Sequence, residues 1–234
     1  MSKNLIIAST STIYGSGYLE YLLPTLDTHF GQCDTILFIP YARPGGITHD
    51  AYTEIVRKSF AKINKKVVGL HSFENPVLAI QEAEGIFTGG GNTFVLVNAL
   101  YKNKVMAPLR EMLLSGTPYL GTSAGSNICG LSMQTTNDMP IAYPPSFKTL
   151  GMIPFNINPH YLDPKAGETH MGETRETRLK EYHAHHTVPV VGLREGSWLE
   201  VQGTAIQLHG TFSARVFEQD KTPYEIETNA LVQL

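Results

Sequence analysis

The composition of the chain is that of a globular protein: of its 234 residues, 42% are hydrophobic and 17% charged. The 18 basic and 21 acidic residues give a net charge of −3, without a block of like charges. These values argue against a nucleic-acid-binding surface and against a polybasic membrane-binding patch. At this length we expect one domain over residues 1–234, which folds without a disulfide or a structural metal.

Cysteine usage and hydropathy indicate the compartment. Cys33 and Cys129 are the only cysteines and do not form a paired spacing, which excludes a disulfide framework and a zinc ribbon. Two free thiols are typical of a reducing compartment. The apolar run after Asn4 is too short for a secretory signal, and no run approaches the roughly 18 apolar residues of a membrane span. We therefore expect a cytoplasmic protein that does not contact membranes.

Strands and helices alternate along the chain. Short apolar runs predict strands at residues 5–9, 35–40, 67–70, 83–88, 118–121 and 188–193. Amphipathic or polar stretches predict helices at residues 18–30, 49–63, 105–114 and 173–183. A hairpin is predicted around Gly203, and the proline-rich segment 131–158 is expected to be irregular. Strands without polar alternation, separated by helices, indicate an α/β fold with a mostly parallel sheet covered by helices on both faces.

The sharpest local motif is GTSAG at residues 121–125, directly after a predicted strand and before a plausible short helix at 126–129. This is the context of a nucleophile elbow, in which small flanking residues permit a strained turn that exposes the serine oxygen. Such pentapeptides also occur by chance in glycine-containing turns. The motif makes Ser123 the candidate nucleophile, whereas Ser126 should face the scaffold.

A second glycine-rich loop, TGGGNT at residues 88–93, ends the preceding strand. In a parallel sheet it opens at the same edge as Ser123, so Gly90 or Gly91 could join Ala124 in donating N–H groups to an oxyanion. The loop could instead hold a phosphate or form a plain tight turn. It lacks the Gly-Lys-Ser/Thr ending of a Walker loop and the spacing of a dinucleotide-binding loop.

A serine nucleophile needs a base, and the base needs a carboxylate to orient it. His160 follows a short apolar run and is stiffened by Pro159, which makes it the best-placed base. Two carboxylates compete as its partner: Asp138, in the irregular segment, and Glu195, just after a predicted strand. Spacing alone leaves both open.

Three further histidines suggest a metal cluster at first sight. They lack a carboxylate or cysteine at ligand spacing and follow a polar helix. We therefore expect neither a metal nor a cofactor in this protein. The three are His183, His185 and His186.

Six motifs, in this order along the chain, together resemble the peptidase E family, the α-aspartyl dipeptidases. They are GGGNTF at 89–94, GTSAG at 121–125, TTNDMP at 135–140, NPH at 158–160, GETRE at 172–176 and EGSW at 195–198. The resemblance covers residues 5–217. It implies a serine exopeptidase on a fold related to class I glutamine amidotransferases, which hydrolyses Asp-Xaa dipeptides with a free amino terminus.

The resemblance also implies roles for individual residues. Ser123 becomes the nucleophile and His160 the base. Between the two carboxylates we favour Glu195, because a strand end supports a side chain more rigidly than a proline-bounded loop. Asp138 stays a candidate for this position and for substrate binding.

Selectivity for an aspartyl side chain requires a cation, because an unpaired carboxylate is costly to bury. Arg175 is the candidate, since its planar guanidinium suits a carboxylate. Asn92, in the glycine-rich motif, is a second candidate substrate contact. The expected partners are small peptides, with the chain a monomer or a homodimer.

Three other functions remain open from the sequence. One is a cyanophycinase-like serine peptidase that acts on β-aspartyl bonds. Another is amide transfer from glutamine, for which Cys129 is badly placed as the nucleophile, six residues beyond Ser123. The third is a non-catalytic, flavodoxin-like module that binds a ligand at the glycine-rich loop.

Overall fold

A computed structural model of the chain describes residues 2–164 and 172–234. The strands are β1 (Asn4–Ala8), β2 (Thr35–Ile39), β3 (Lys66–Gly69), β4 (Gly85–Thr88), β5 (Tyr119–Thr122), β6 (Asn156–Pro159), β7 (Val190–Leu193), β8 (Ser197–Gln202), β9 (Ala205–Gly210), β10 (Ala214–Phe217) and β11 (Tyr224–Ile226). The α-helices are α1 (Leu23–His29), α2 (His49–Phe60), α3 (Pro76–Gln81), α4 (Thr93–Lys102), α5 (Met106–Ser115), α6 (Ala124–Asn127) and α7 (Arg175–His183).

The larger sheet has the strand order β3-β2-β4-β5-β1-β8-β9. Its first five strands are parallel, and the β8–β9 hairpin joins antiparallel at β1. The predicted α/β fold with a mostly parallel sheet is therefore confirmed. Because parallel strands end at one edge, the segments after β1, β4 and β5 meet there.

Apolar strands bury both faces of this sheet. Along β1, Leu5 and Ile7 belong to a core shared with α3, α4 and α5. Ile6 and Ala8 point to the opposite face, into a second core shared with α1 and α2. Successive strand residues face opposite sides, so a strand covered on both sides must be apolar throughout.

A smaller sheet, of order β11-β10-β7-β6, was not predicted. Its strands β6 and β7 are parallel, and the other pairs are antiparallel. Ile157 and Val191 join the core of the larger sheet, while Leu179 of α7 packs on the opposite side with Phe217. The two sheets therefore share one hydrophobic core.

The predicted helix over 18–30 is wrong at its start. Leu19 adopts a left-handed conformation with φ 58°, and a 3-10 turn follows at Glu20–Leu22. The α-helix begins only at Leu23, with Pro24 in its first turn, where a missing N–H costs nothing. None of the helices that the structure describes is long and apolar enough to cross a membrane.

Candidate active site

Ser123 occupies a strained turn between β5 and α6. Its φ of 53° and ψ of −110° lie in a region that non-glycine residues rarely adopt and that is common at functional sites. Its N–H donates to the carbonyl of Ala8, 3.2 Å away. A Cβ at Gly125 would lie 2.1 Å from the carbonyl oxygen of Thr88, so only glycine fits behind the turn. The predicted helix 126–129 begins earlier, at Ala124.

Neither of the two nearby alternative nucleophiles faces the site. Ser126 is fully buried, and its Oγ donates to the carbonyls of Ala8 and Gly121 at 2.5 and 2.8 Å. Cys129 is also fully buried, and burial raises the pKa of its thiol to about 12. A thiol with this pKa carries almost no thiolate at neutral pH. This argues against Cys129 as the nucleophile of an amide transfer.

His160 lies directly after β6 and connects Ser123 with Glu195. Its Nε2 is 2.9 Å from Ser123 Oγ, and its Nδ1 is 2.6 Å from Glu195 Oε1. An ionised carboxylate can only accept a hydrogen bond, so Nδ1 carries the proton and Nε2 is free to accept from the serine hydroxyl. This is the geometry of a serine, histidine and carboxylate triad.

Glu195 lies two residues beyond β7 and directly follows Arg194, whose ion pairs fix this turn. Arg194 forms two 2.8 Å hydrogen bonds to the carboxylate of Asp163 and further bonds to Glu225. Asp163 lies three residues beyond His160. The ion pair therefore links the turn that carries the carboxylate to the loop that carries the imidazole.

Asp138, the other candidate for this position, does not contact the imidazole. Its Oδ2 accepts hydrogen bonds from the N–H and hydroxyl of Thr93, both at 2.7 Å, and from the hydroxyl of Thr136 at 2.9 Å. Asp138 nevertheless lines the same cavity as Ser123 and His160. The structure therefore brings Glu195, and not Asp138, to the histidine.

The glycine-rich loop lies beside Ser123. A Cβ at Gly90 would be 2.9 Å from the Cβ of Ser123, so the backbone passes within contact distance of the elbow. The carbonyl of Gly90 accepts a hydrogen bond from the hydroxyl of Tyr52 at 3.2 Å. Within residues 2–164 and 172–234, the N–H groups of Gly90, Gly91 and Ala124 make no hydrogen bond. No described residue therefore occupies the three expected oxyanion donors.

The expectation that Asn92 contacts substrate is not supported by its geometry. Its Oδ1 accepts from the N–H of Val95 at 3.1 Å and caps α4, while its Nδ2 donates to the carbonyl of Met139 at 2.9 Å. Both ends of the side-chain amide are occupied, and Asn92 does not line the cavity. The residue is a helix cap, in line with the preference of asparagine for this position.

Arg175 is the cation of the cavity, which has a volume of about 390 Å³. Its Nη1 is buried and has no hydrogen-bond partner in the part of the chain that the structure describes. Burial lowers the pKa of the guanidinium, and Arg178 acts in the same direction, while Glu195 and Asp138 oppose them. The cavity is lined by Thr93, Ser123, Ala124, Thr136, Asn137, Asp138, Pro159, His160, Leu162, Arg175 and Glu195.

The histidines near the end of α7 have other contacts. Nδ1 of His183 lies 3.0 Å from the carbonyl of His186, whose ring stacks on Tyr182. Among the described residues, no group of three histidine, cysteine, aspartate or glutamate side chains is arranged to hold a metal ion.

Two threonines of the site were missed by the sequence analysis. Thr93 and Thr136 hold Asp138 at the cavity wall. Both are parts of quoted motifs, but a threonine carries no signal of its own that separates a hydrogen-bond donor in a site from a turn residue.

Comparisons with known proteins identify the family. The model of peptidase family S51 matches residues 5–209. A protein named "Probable alpha-aspartyl dipeptidase" from Drosophila melanogaster is 48% identical over 222 residues, which cover 94% of this chain and 91% of that protein. Peptidase E of Streptomyces coelicolor is 47% identical, with 95% of this chain and 90% of the relative covered.

A solved structure shows the same fold. The crystal structure of a peptidase from an acI-B1 Actinobacterium superposes with a TM-score of 0.74 at 15% identity, and the match covers 100% of this chain and 98% of that one. At this identity the likeness concerns the fold alone. The family match over most of the chain and the identities above 40% lead to one conclusion: this chain belongs to peptidase family S51.

Proposed function

We propose that this protein is a serine-type dipeptidase that hydrolyses dipeptides with an N-terminal aspartate through an acyl-enzyme on Ser123. The observation that carries the proposal is the hydrogen-bonded chain from Glu195 through His160 to Ser123 at the wall of a cavity that also contains Arg175. The names of the relatives, peptidase E and alpha-aspartyl dipeptidase, support the same activity.

The reaction begins at Ser123. Its Oγ attacks the carbonyl carbon of the aspartyl residue while Nε2 of His160 accepts the hydroxyl proton. Glu195 keeps the proton on Nδ1 and stabilises the imidazolium that forms. His160 then gives its proton to the leaving amine, which departs as the second amino acid. Water attacks the remaining ester, with His160 again the base, and releases aspartate.

The oxyanion of each tetrahedral intermediate is held by backbone donors. We assign this role to the N–H of Ala124 together with that of Gly90 or Gly91, because these groups flank Ser123 and make no hydrogen bond to the residues that the structure describes. The planar peptide that joins Gly90 to Gly91 directs its carbonyl to Tyr52, so the N–H of Gly91 points away from Tyr52. Loss of one such donor typically costs about 3–4 kcal/mol of transition-state stabilisation.

We assign the recognition of the two charged groups of an N-terminal aspartate to two charged side chains at the cavity wall. The β-carboxylate of aspartate pairs with Arg175, whose buried Nη1 has no partner among the described residues. The α-ammonium pairs with Asp138, whose Oδ2 is fixed by threonines, while its Oδ1 makes no hydrogen bond to the described residues. An acid at this position would explain a requirement for a free amino terminus.

A panel of dipeptides tests the proposal. Asp-Leu, Glu-Leu, Asn-Leu, β-Asp-Leu and N-acetyl-Asp-Leu would be incubated with the wild type and with Ser123→Ala, and amine release would be measured. We expect rapid hydrolysis of Asp-Leu alone and no hydrolysis by Ser123→Ala. Preferential hydrolysis of β-Asp-Leu would contradict the proposal in favour of a cyanophycinase-like specificity. Full activity of Ser123→Ala would contradict the serine mechanism.

A further inference from the structure

The candidate triad is divided between two sheets. Ser123 follows β5 of the larger sheet, whereas His160 and Glu195 follow β6 and β7 of the smaller one. A distance of 2.9 Å between Nε2 and Oγ therefore depends on how the ends of the two sheets are joined.

Ser9 lies at this junction. It comes directly after β1, which pairs in parallel with β5, and its side chain is completely buried. Its Oγ donates to the carbonyl of Leu193 at 2.7 Å and accepts from the N–H of His160 at 2.9 Å. The preceding residue, Ala8, accepts the hydrogen bond from the N–H of Ser123. One hydroxyl of the larger sheet thus contacts the backbone of both strands that carry the histidine and the carboxylate.

The backbone that Ser9 contacts has an uncommon conformation. His160 has φ 54°, in the left-handed region that non-glycine residues adopt only where the surroundings hold them. The N–H that Ser9 accepts belongs to the peptide between Pro159 and His160, and the carbonyl of the same peptide accepts from Nδ2 of Asn137 at 2.8 Å. The two hydrogen bonds fix the plane of this peptide from both sides, and with it the direction of the imidazole.

We propose that Ser9 is a positioning residue whose hydroxyl holds His160 in the left-handed conformation that brings Nε2 within hydrogen-bond distance of Ser123 Oγ. The inference rests on the proposed function, since it assigns Ser9 to the same reaction. Ser9 does not touch substrate. It acts through the backbone of His160, so its loss affects the turnover step and leaves substrate binding by Arg175 and Asp138 intact.

The test compares two buried serines. Ser9→Ala removes the hydroxyl at the junction, and Ser59→Ala removes a buried hydroxyl that donates to the carbonyl of Tyr18 at 2.7 Å and does not line the cavity. Steady-state kinetics with Asp-Leu, thermal unfolding and the rate of labelling by a fluorophosphonate would be measured for both. We expect Ser9→Ala to lower kcat and the labelling rate by about 10- to 100-fold with KM within about twofold, because a displacement of about 1 Å has effects of this size. Ser59→Ala should keep both rates.

Ser9→Cys covers the case in which Ser9→Ala does not fold, because sulfur fills the space and is only a weak hydrogen-bonding group. We expect Ser9→Cys to lose kcat and labelling rate in the same way. A folded Ser9→Ala or Ser9→Cys with wild-type kcat and labelling rate would overturn the positioning role. Failure of the wild type to hydrolyse Asp-Leu would instead reject the proposed substrate. The Ser9 result would remain readable from the labelling rate, which needs no dipeptide.

Discussion

The two sheets hold their parts of the candidate site by different kinds of interaction. In the larger sheet, Ser123 sits among buried neighbours, with Thr122 and Ser126 fully enclosed and Gly125 in contact with the backbone of β4. In the smaller sheet, 33% of the His160 side chain and 48% of the Glu195 side chain are exposed. Steric fit therefore shapes the first part, and hydrogen bonds and ion pairs hold the second.

This difference has consequences for how each half responds to change. A close-packed turn tolerates no added volume, because a single methyl group displaces backbone atoms. A half-exposed polar side chain has room to change shape, and it acts through its charge and its hydrogen-bond donors and acceptors. The following predictions test this comparison, beginning with the largest effect.

The first prediction concerns the carboxylate of the smaller sheet. Glu195→Gln should lower kcat for Asp-Leu by about 10³- to 10⁴-fold, because an amide can donate to Nδ1 and favour the wrong tautomer of His160. Asp138→Asn is chemically the same change at a residue that does not contact the imidazole, and it should mainly raise KM. Full kcat in Glu195→Gln together with its loss in Asp138→Asn would reverse the two assignments.

The second prediction concerns the packing of the larger sheet. Gly125→Ala should lower the free energy of unfolding by about 3 kcal/mol, because the new Cβ would lie 2.1 Å from the carbonyl oxygen of Thr88. Gly45→Ala is the matched control, since nothing lies within 4 Å of a Cβ there, and its effect should stay within about 0.5 kcal/mol. Urea unfolding measures both values. Equal stability of the two variants would show that the elbow is not close-packed.

The third prediction concerns the charge of the cavity wall. Arg175→Met should lower kcat/KM for Asp-Leu by about 100-fold, because the β-carboxylate loses its partner, and should change any residual hydrolysis of Ala-Leu much less. Arg178→Met is the control on the same helix: Arg178 is largely exposed and pairs with Glu173 at 3.6 Å. It should leave both substrates within about twofold. Equal losses on Asp-Leu and Ala-Leu in Arg175→Met would remove its role in specificity.

The fourth prediction separates the two sheets by their acid sensitivity. His29 is the last residue of α1, which covers one face of the larger sheet. Burial lowers the pKa of its imidazole to about 4 from about 6.5, although the hydrogen bond to the carbonyl of Tyr119 acts in the opposite direction. Burial works against ionisation of Glu225 in β11, but hydrogen bonds from Arg194, Ser213 and Arg215 outweigh it and lower the pKa to about 2 from about 4.5.

Both folded pKa values lie below the unfolded ones, so both groups contribute stability at neutral pH that is lost as the pH falls. The contribution of His29 should disappear between about pH 6.5 and 4, and that of Glu225 between about 4.5 and 2. Each loss should be about 2 kcal/mol or less, given the partial exposure of both groups. His29→Asn and Glu225→Gln should each reduce the pH dependence of stability in its own window in urea unfolding, while the other groups with lowered pKa values, such as His49 and Glu84, keep their share. Unchanged curves would contradict the assignment.

Much of the larger sheet was predictable from the sequence, for a physical reason. Strands buried on both faces, such as β1, must be apolar throughout, and a short apolar run bounded by turns is easily recognised. The turn at Ser123 was predictable because its close packing requires small residues such as Gly125, and these are easily recognised in the sequence. The smaller sheet was missed because β10 and β11 are short and carry Arg215 and Glu225, whose polar character hides the strand pattern.

The arrangement of the site was less predictable than its residues. The choice between Asp138 and Glu195 depends on which loop the smaller sheet brings to His160, and strand pairing between distant segments leaves no trace in local spacing. Asn92 was a reasonable substrate contact by motif, yet its side chain caps α4. Ser9 carries no motif, and only its two hydrogen bonds distinguish it from other serines after strands.

The pairing of Ser123 with His160 is tested most directly by locating a fluorophosphonate adduct by mass spectrometry and measuring its rate of formation in the wild type and in His160→Ala. The adduct is expected on Ser123 alone, with a rate at least about 10³-fold lower in His160→Ala, because the hydroxyl is inert without its base. An adduct on another serine, or equal rates in the two proteins, would contradict this pairing.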